Sequence, residues 1–141
     1  MPDEHEPKEI AAVVSQLSLK YVVITSVTRD DLEDGGSSQF AKTIKAVKEL
    51  KQDIKVEVLA PDFSGNDSAI ETVLAAHPDV FAHNIETVPR LYRTVRPQAD
   101  YRLSLSVLKK AKKMSDIFLK SSIILGLGET EKEAIKTCLL Y

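Results

Sequence analysis

Three short segments of this chain combine residue types that can do chemistry. Asp30, Asp31, Glu33 and Asp34 run into Gly35-Gly36. Carboxylates so placed suit an ammonium group or a cation, and the glycines let backbone carbonyls approach a ligand. The alternative is an acidic helix entry, which the helix dipole also favours. His83-Asn84-Ile85-Glu86 offers an imidazole, an amide and a carboxylate within four residues. In an extended chain Asn84 and Glu86 share a side, an arrangement fitted to the two hydroxyls of a ribose. His83 then faces the other way, as a catalytic group or as a hydrogen-bonded core imidazole. Gly126-Leu127-Gly128-Glu129-Thr130 reads as a turn into a helix N-terminus, where free N–H groups favour nucleotide-like ligands. Glu131 stands where a dinucleotide fingerprint has its third glycine, so an NAD site is a poor match.

Charge adds a fourth feature. Residues 87–120 hold nine Lys or Arg against two Asp, a local charge of +7, whereas residues 1–86 hold eight basic against sixteen acidic, a charge of −8. Arg90, Arg93 and Arg96 are therefore candidates for an anionic substrate end or an acidic partner, and the lysines of residues 109–113 for the same partner or for a solvated helix face.

Alternating helices and strands must position these groups. Ile10, Val13, Val14 and Leu17 predict a helix over 7–18 starting at Pro7, and residues 21–27 (YVVITSV) predict a strand covered on both faces. A helix over 38–50, a strand over 55–59 and a helix with a Ser68/Glu71 capping box follow. A third strand begins at Asp79, a helix runs through Leu105, Leu108 and Ala111, and a fourth strand covers 117–125. Thr130 and Glu133 form a second capping box, opening a helix that buries Ala134, Ile135, Cys138 and Leu139. Repeated strand, helix, strand units leave an open doubly wound sheet or part of a (β/α) barrel, and both put the active face at the loops after the strands. Four strands do not close a barrel, so the chain is expected to be open at both ends.

Composition sets the outer limits. With 141 residues, 43% of them hydrophobic and 28% charged, this is one ordinary globular domain. A net charge of −2 gives no general attraction to nucleic acid or anionic membrane. No apolar run approaches the roughly 20 residues that span a bilayer, and the acidic start is unlike a secretion signal. A single cysteine, Cys138, allows no internal disulfide and fits a cytoplasmic protein.

Residues 21–36 (YVVITSVTRDDLEDGG), 57–63 (EVLAPDF), 81–97 (FAHNIETVPRLYRTVRP), 99–101 (ADY) and 125–130 (LGLGET) together resemble the lipoyl synthase family, radical S-adenosylmethionine enzymes, in the same order and over nearly the whole chain. The resemblance implies a partial radical S-adenosylmethionine (β/α) barrel of four parallel strands with flanking helices. It implies insertion of two sulfur atoms into an octanoyl chain carried by a lipoyl domain or carrier protein. It also implies two 4Fe-4S clusters, one to cleave S-adenosylmethionine and one to supply sulfur. Thr25 would then be a cofactor contact, the loop of Gly35 and Gly36 would face the methionine end of the cofactor, Asn84 and Glu86 its ribose or amino acid part, and Gly126, Gly128 and Glu129 its adenosine. Thr28 stands where the family usually has Asp, Ala82 where Asn precedes the His and Ser122 in place of Gly, and Ala60 before Pro-Asp-Phe also departs from the pattern. The family's cluster-binding cysteines, including a CxxxCxxC loop, would lie upstream of Glu6-Pro7, and a serine segment beyond Tyr141. One cysteine holds neither cluster. The expectation is a central portion of such an enzyme, inactive alone; the alternative is a cofactor-free module that binds an acidic octanoylated carrier domain.

Overall fold

The computed structural model describes residues 2–50 and 53–140. Four strands, β1 (Tyr21–Thr25), β2 (Lys55–Leu59), β3 (Val80–Ala82) and β4 (Phe118–Lys120), form one parallel sheet in the order β1-β2-β3-β4. Helices α1 (Glu6–Gln16), α2 (Ser37–Lys48), α3 (Asp67–Leu74) and α5 (Tyr101–Met114) pack side by side in that sequence. The short α4 (Tyr92–Val95) precedes α5, and α6 (Glu131–Cys138) follows β4. Sequential strands with neighbouring helices in one layer are the arrangement of a barrel wall; a doubly wound sheet would divide its helices between two faces. The fold is therefore a partial (β/α) barrel, unclosed among the described residues.

Strand alternation decides what is buried. Val56 and Val58 of β2 and Phe81 of β3 are fully buried, and Val22 of β1 nearly so, against Ile44 and Val47 of α2, Ile70 and Val73 of α3, and Val107 and Ala111 of α5. Each of the Val, Ile and Phe side chains contributes about 1.5–3 kcal/mol. The other sheet face carries Tyr21, Val23 and Phe118, which are 49%, 52% and 80% exposed. The expectation that the first strand is covered on both faces is thus corrected: only its helix-facing side is covered.

On that open face the register aligns Val23, Glu57, Val80 and Phe118, with Thr25, Leu59, Ala82 and Lys120 in the next layer. Glu57, 3% exposed, accepts from Tyr21 Oη at 2.5 Å and from Lys120 Nζ at 2.8 and 3.1 Å. Lys120 reaches across β3 because the intervening residue of its layer is the small Ala82. Burial works to raise the Glu57 pKa, but the bonds from Lys120 and Tyr21 outweigh it and hold the carboxyl below its ordinary value.

Other elements differ from their sequence expectations for local reasons. Asn66 caps α3, accepting from Ser68 N at 3.0 Å and Ala69 N at 3.3 Å, which displaces the expected Ser68 cap. The Thr130/Glu133 capping box of α6 is present as expected. The fourth strand shrinks to three residues because Ser121 Oγ accepts from Ile85 N, after which pairing resumes only as a bridge between Glu86 and Ile123. The expected buried stripe of α6 is overturned: Ile135 and Leu139 are 52% and 78% exposed and Cys138 is exposed, because no described element packs over them. Tyr141 lies outside the described residues.

Candidate functional site

A cleft of about 800 Å³ opens where β1, β2 and β3 end at their carboxyl side, the active face of this architecture. Thr25 and Ser26 come from β1 and its loop, Asp62 from the loop after β2, and His83, Asn84 and Glu86 from the segment after β3. Arg96, Gln98 and Asp100, between α4 and α5, close the wall. Thr25 Oγ1 donates to Leu59 O at 3.1 Å, tying the first loop to the end of β2.

Asn84 and Glu86 both line this cleft, although by a route other than simple strand alternation. β3 stops at Ala82, and Glu86 has the left-handed φ of 66°. A non-glycine residue pays for that conformation, typically about 1–3 kcal/mol, where surrounding bonds dictate it. Here Glu86 N donates to Ser122 O at 2.9 Å and its carbonyl accepts from Ile124 N at 2.7 Å, so the segment after β4 clamps the backbone. His83 is 4% exposed and its Nδ1 lies 2.9 Å from Ala60 O. A carbonyl only accepts, so Nδ1 carries the proton. Burial pushes the pKa down, which leaves a neutral ring whose Nε2 has no partner among the described residues.

The glycine turn follows the segment that clamps Glu86, but Gly126, Gly128 and Glu129 do not line the cleft. Gly126, with φ 94°, begins two residues after Ile124, the residue that bonds Glu86. The turn's N–H groups are engaged: Gly126 N donates to Glu129 Oε1 at 2.6 Å and Leu127 N to Oε2 at 2.9 Å. These backbone bonds, led by the one from Gly126, hold the Glu129 carboxyl below its ordinary pKa. The expectation of free donors there is corrected, while space remains open above Gly126 and Gly128, each with nothing within 4 Å of an added Cβ.

Arg90 couples the turn to the segment after β3. Its Nε and Nη2 bond Glu133 Oε1 and Oε2 at 2.8 and 3.0 Å, and Nη2 also donates to Gly128 O at 2.9 Å. Glu133, bonded first by Arg90 and then by Thr130, has its pKa brought down to about 2. Arg90, read in the sequence as a partner contact, is thus engaged internally. Arg96 donates to Tyr92 Oη at 3.0 Å, lies 5.5 Å from that ring's centroid and lines the cleft. Arg93 is exposed.

Gly35 and Gly36 do not line the main cleft. Gly36 borders a smaller one of about 330 Å³ beside β1, which shares Thr25 and Ser26 with the first. Gly35, at φ 60°, would place a Cβ 2.9 Å from Phe63 Cδ1, so its smallness serves packing. Within the acidic loop, Asp31 pairs with Arg29 at 2.6 Å, and Asp34 caps α2 by accepting from Gly36 N at 2.9 Å and Ser38 N at 3.0 Å. Asp30 alone of that group faces the cleft. Asp62, Gln98 and Asp100 were not singled out in the sequence; their signal was position in the loop after a strand and in the irregular stretch before α5.

Comparison with known proteins gives this geometry its class. A profile of the Radical SAM superfamily matches residues 1–140, and the chain belongs to that superfamily. Among curated relatives it is 61% identical over 132 residues to the lipoyl synthase of Caldicellulosiruptor saccharolyticus, covering 93% of this chain and 46% of the relative. The lipoyl synthase of Aquifex aeolicus is 56% identical over 135 residues, 95% of this chain and 49% of the relative. The resemblance to lipoyl synthases read in the sequence is borne out, and the chain spans about half the length of these relatives. Two solved structures share the fold: methylornithine synthase PylB, TM-score 0.69 at 16% identity over 94% of this chain and 38% of that one, and the hydrogenase maturase HydG, TM-score 0.77 at 15% identity over 96% and 31%.

Proposed function

We propose that this chain is the cofactor-cradling portion of a lipoyl synthase, and that its main cleft seats the nucleoside of S-adenosylmethionine. The observation that carries this reading is the strained, clamped Glu86 sharing the cleft with Asn84, an acceptor and an amide suited to ribose hydroxyls. Neutral His83 adds an unpartnered acceptor at the same wall. Asp30, Asp62 and Asp100 make the surroundings acidic, which favours a cationic sulfonium. These residues fit the cofactor. S-adenosylmethionine supplies the group that is cleaved in radical chemistry; the residues named here bind and orient it.

The 4Fe-4S clusters do not fit. Such clusters are held mainly by Cys thiolates, and this chain has one Cys, exposed on α6; no group of three His, Cys, Asp or Glu among the described residues is arranged to hold a metal. The chain by itself therefore carries the seat and not the redox centre, and alone it binds the cofactor without cleaving it. The octanoylated carrier domain and a cytoplasmic setting complete the reading; no described helix is long and apolar enough to cross a membrane.

Calorimetric titration with S-adenosylmethionine tests the proposal. The chain is expected to bind one equivalent, with Glu86→Gln weakening binding by about tenfold, the value of a hydrogen bond involving a charged group, and Asn84→Ala by about threefold to tenfold, that of a neutral one. Binding unchanged in both variants, or absent in the parent chain, refutes it.

A further inference from the structure

The basic segment separates into two groups once its partners are known. Arg90 is bonded to Glu133 and Gly128, Arg96 lies over Tyr92, Lys110 bonds Gly65 O and pairs with Asp67, and Lys120 pairs with Glu57. Arg102, Lys109, Lys112 and Lys113 of α5 are exposed, and none forms an ion pair among the described residues. Arg102, Lys109 and Lys113 follow i, i+7, i+11 spacing, so they share one stripe about 16 Å long. α5 contains no Asp or Glu. Like charges three and four residues apart cost a helix a few tenths of a kcal/mol each. The chain tolerates this although its net charge is −2. The helix dipole favours Lys112 and Lys113 in the last turn of α5 but not Arg102 in its first, so the stripe as a whole is better matched by a surface that meets negative charge.

Location supplies the second argument. The stripe begins at Arg102, between cleft-lining Asp100 and Leu103, and runs from the cleft wall down the outside of the fold. We infer that this face of α5 docks an acidic folded domain, which thereby delivers a flexible acylated arm to the mouth of the cleft. The inference rests on the lipoyl synthase reading for the identity of the arm, while the docking itself rests on charge and position. Steering by complementary charge accelerates encounter and fixes orientation, which a domain presenting a mobile arm needs.

Titration of this chain with an acidic octanoylated lipoyl domain tests the docking. Binding is expected at about 50 mM salt and to weaken severalfold by about 300 mM, where surface charges are screened. Lys109→Glu/Lys113→Glu should weaken it by about tenfold or more, Lys109→Ala/Lys113→Ala by less, and Lys109→Arg/Lys113→Arg should retain it. The Ala pair also guards against misfolding, because Ala is the best helix former. No binding at low salt, binding indifferent to all three variants, or equal affinity for polyglutamate of the same charge would overturn the inference. S-adenosylmethionine titrated in parallel reads the cleft separately: its loss in parent and variants alike refutes the cofactor seat and leaves the docking result standing.

Discussion

Removing the Lys120 ammonium while keeping its length, as in Lys120→Met, leaves the Glu57 carboxylate buried with Tyr21 as its remaining bonded side chain. Breaking a buried pair from one side costs about 3–5 kcal/mol. The Glu57 side chain is only 4% exposed, but Lys120 is 53% exposed, so its charge is already shared with water. That discounts the loss to about 2 kcal/mol. Glu57→Gln in the same background removes the stranded charge and should return about half of the loss, because a neutral amide can still bond Tyr21. A double-mutant cycle by urea unfolding measures this, together with the pH dependence of each member. The Glu57 pKa is depressed in the folded chain, so its contribution is full above the unfolded value near 4.5 and disappears as pH falls through the lower folded value. A Lys120→Met cost below about 0.5 kcal/mol, or a parent chain whose stability does not fall in acid more than that of Glu57→Gln, would refute the picture of a charged carboxylate held under the sheet by two partners.

Two further outcomes follow from local geometry. Glu133 should titrate near 2 by carbon-detected NMR and move up toward its ordinary 4.5 in Arg90→Ala, so the tether between the glycine turn and residues 89–91 is intact above about pH 4.5 and is lost as pH falls through 2; a Glu133 pKa unchanged in the variant would show that Thr130 alone sets it. Gly35→Ala combines a φ of 60° with a 2.9 Å approach to the Phe63 ring, and should cost about 1–3 kcal/mol in thermal or urea unfolding; a neutral result would mean that the loop relaxes freely.

The elements were legible because their residues answer to local rules. β-branched runs at 21–25 and 55–59 form parallel strands, Pro7 lies in the first turn of α1, and the Thr130/Glu133 pair caps α6. Lengths and faces were less legible, since they depend on what lies opposite. The covered first strand and the apolar stripe of α6 were inferred from an unbroken apolar run and from helical spacing, yet neither pattern says whether a neighbour is there to bury Val23 or Ile135. The cleft was legible as a set of loops after strands, and Asn84 with Glu86 as a pair. The side-chain engagements were not, because Arg90 meets Glu133 across 43 residues and Lys120 meets Glu57 across 63. Nothing in local sequence distinguishes those cations from the ones left exposed on α5.

The carboxylate that folds back onto the glycine turn has a consequence for which small molecules the rim admits. With Glu129 already seated on the N–H groups of Gly126 and Leu127, a phosphoryl group arriving there would meet a resident negative charge where similar turns offer bare donors. A triphosphate or dinucleotide would have to displace the protein's own side chain to use those donors. The sulfonium nucleoside proposed for the cleft would bring no such conflict.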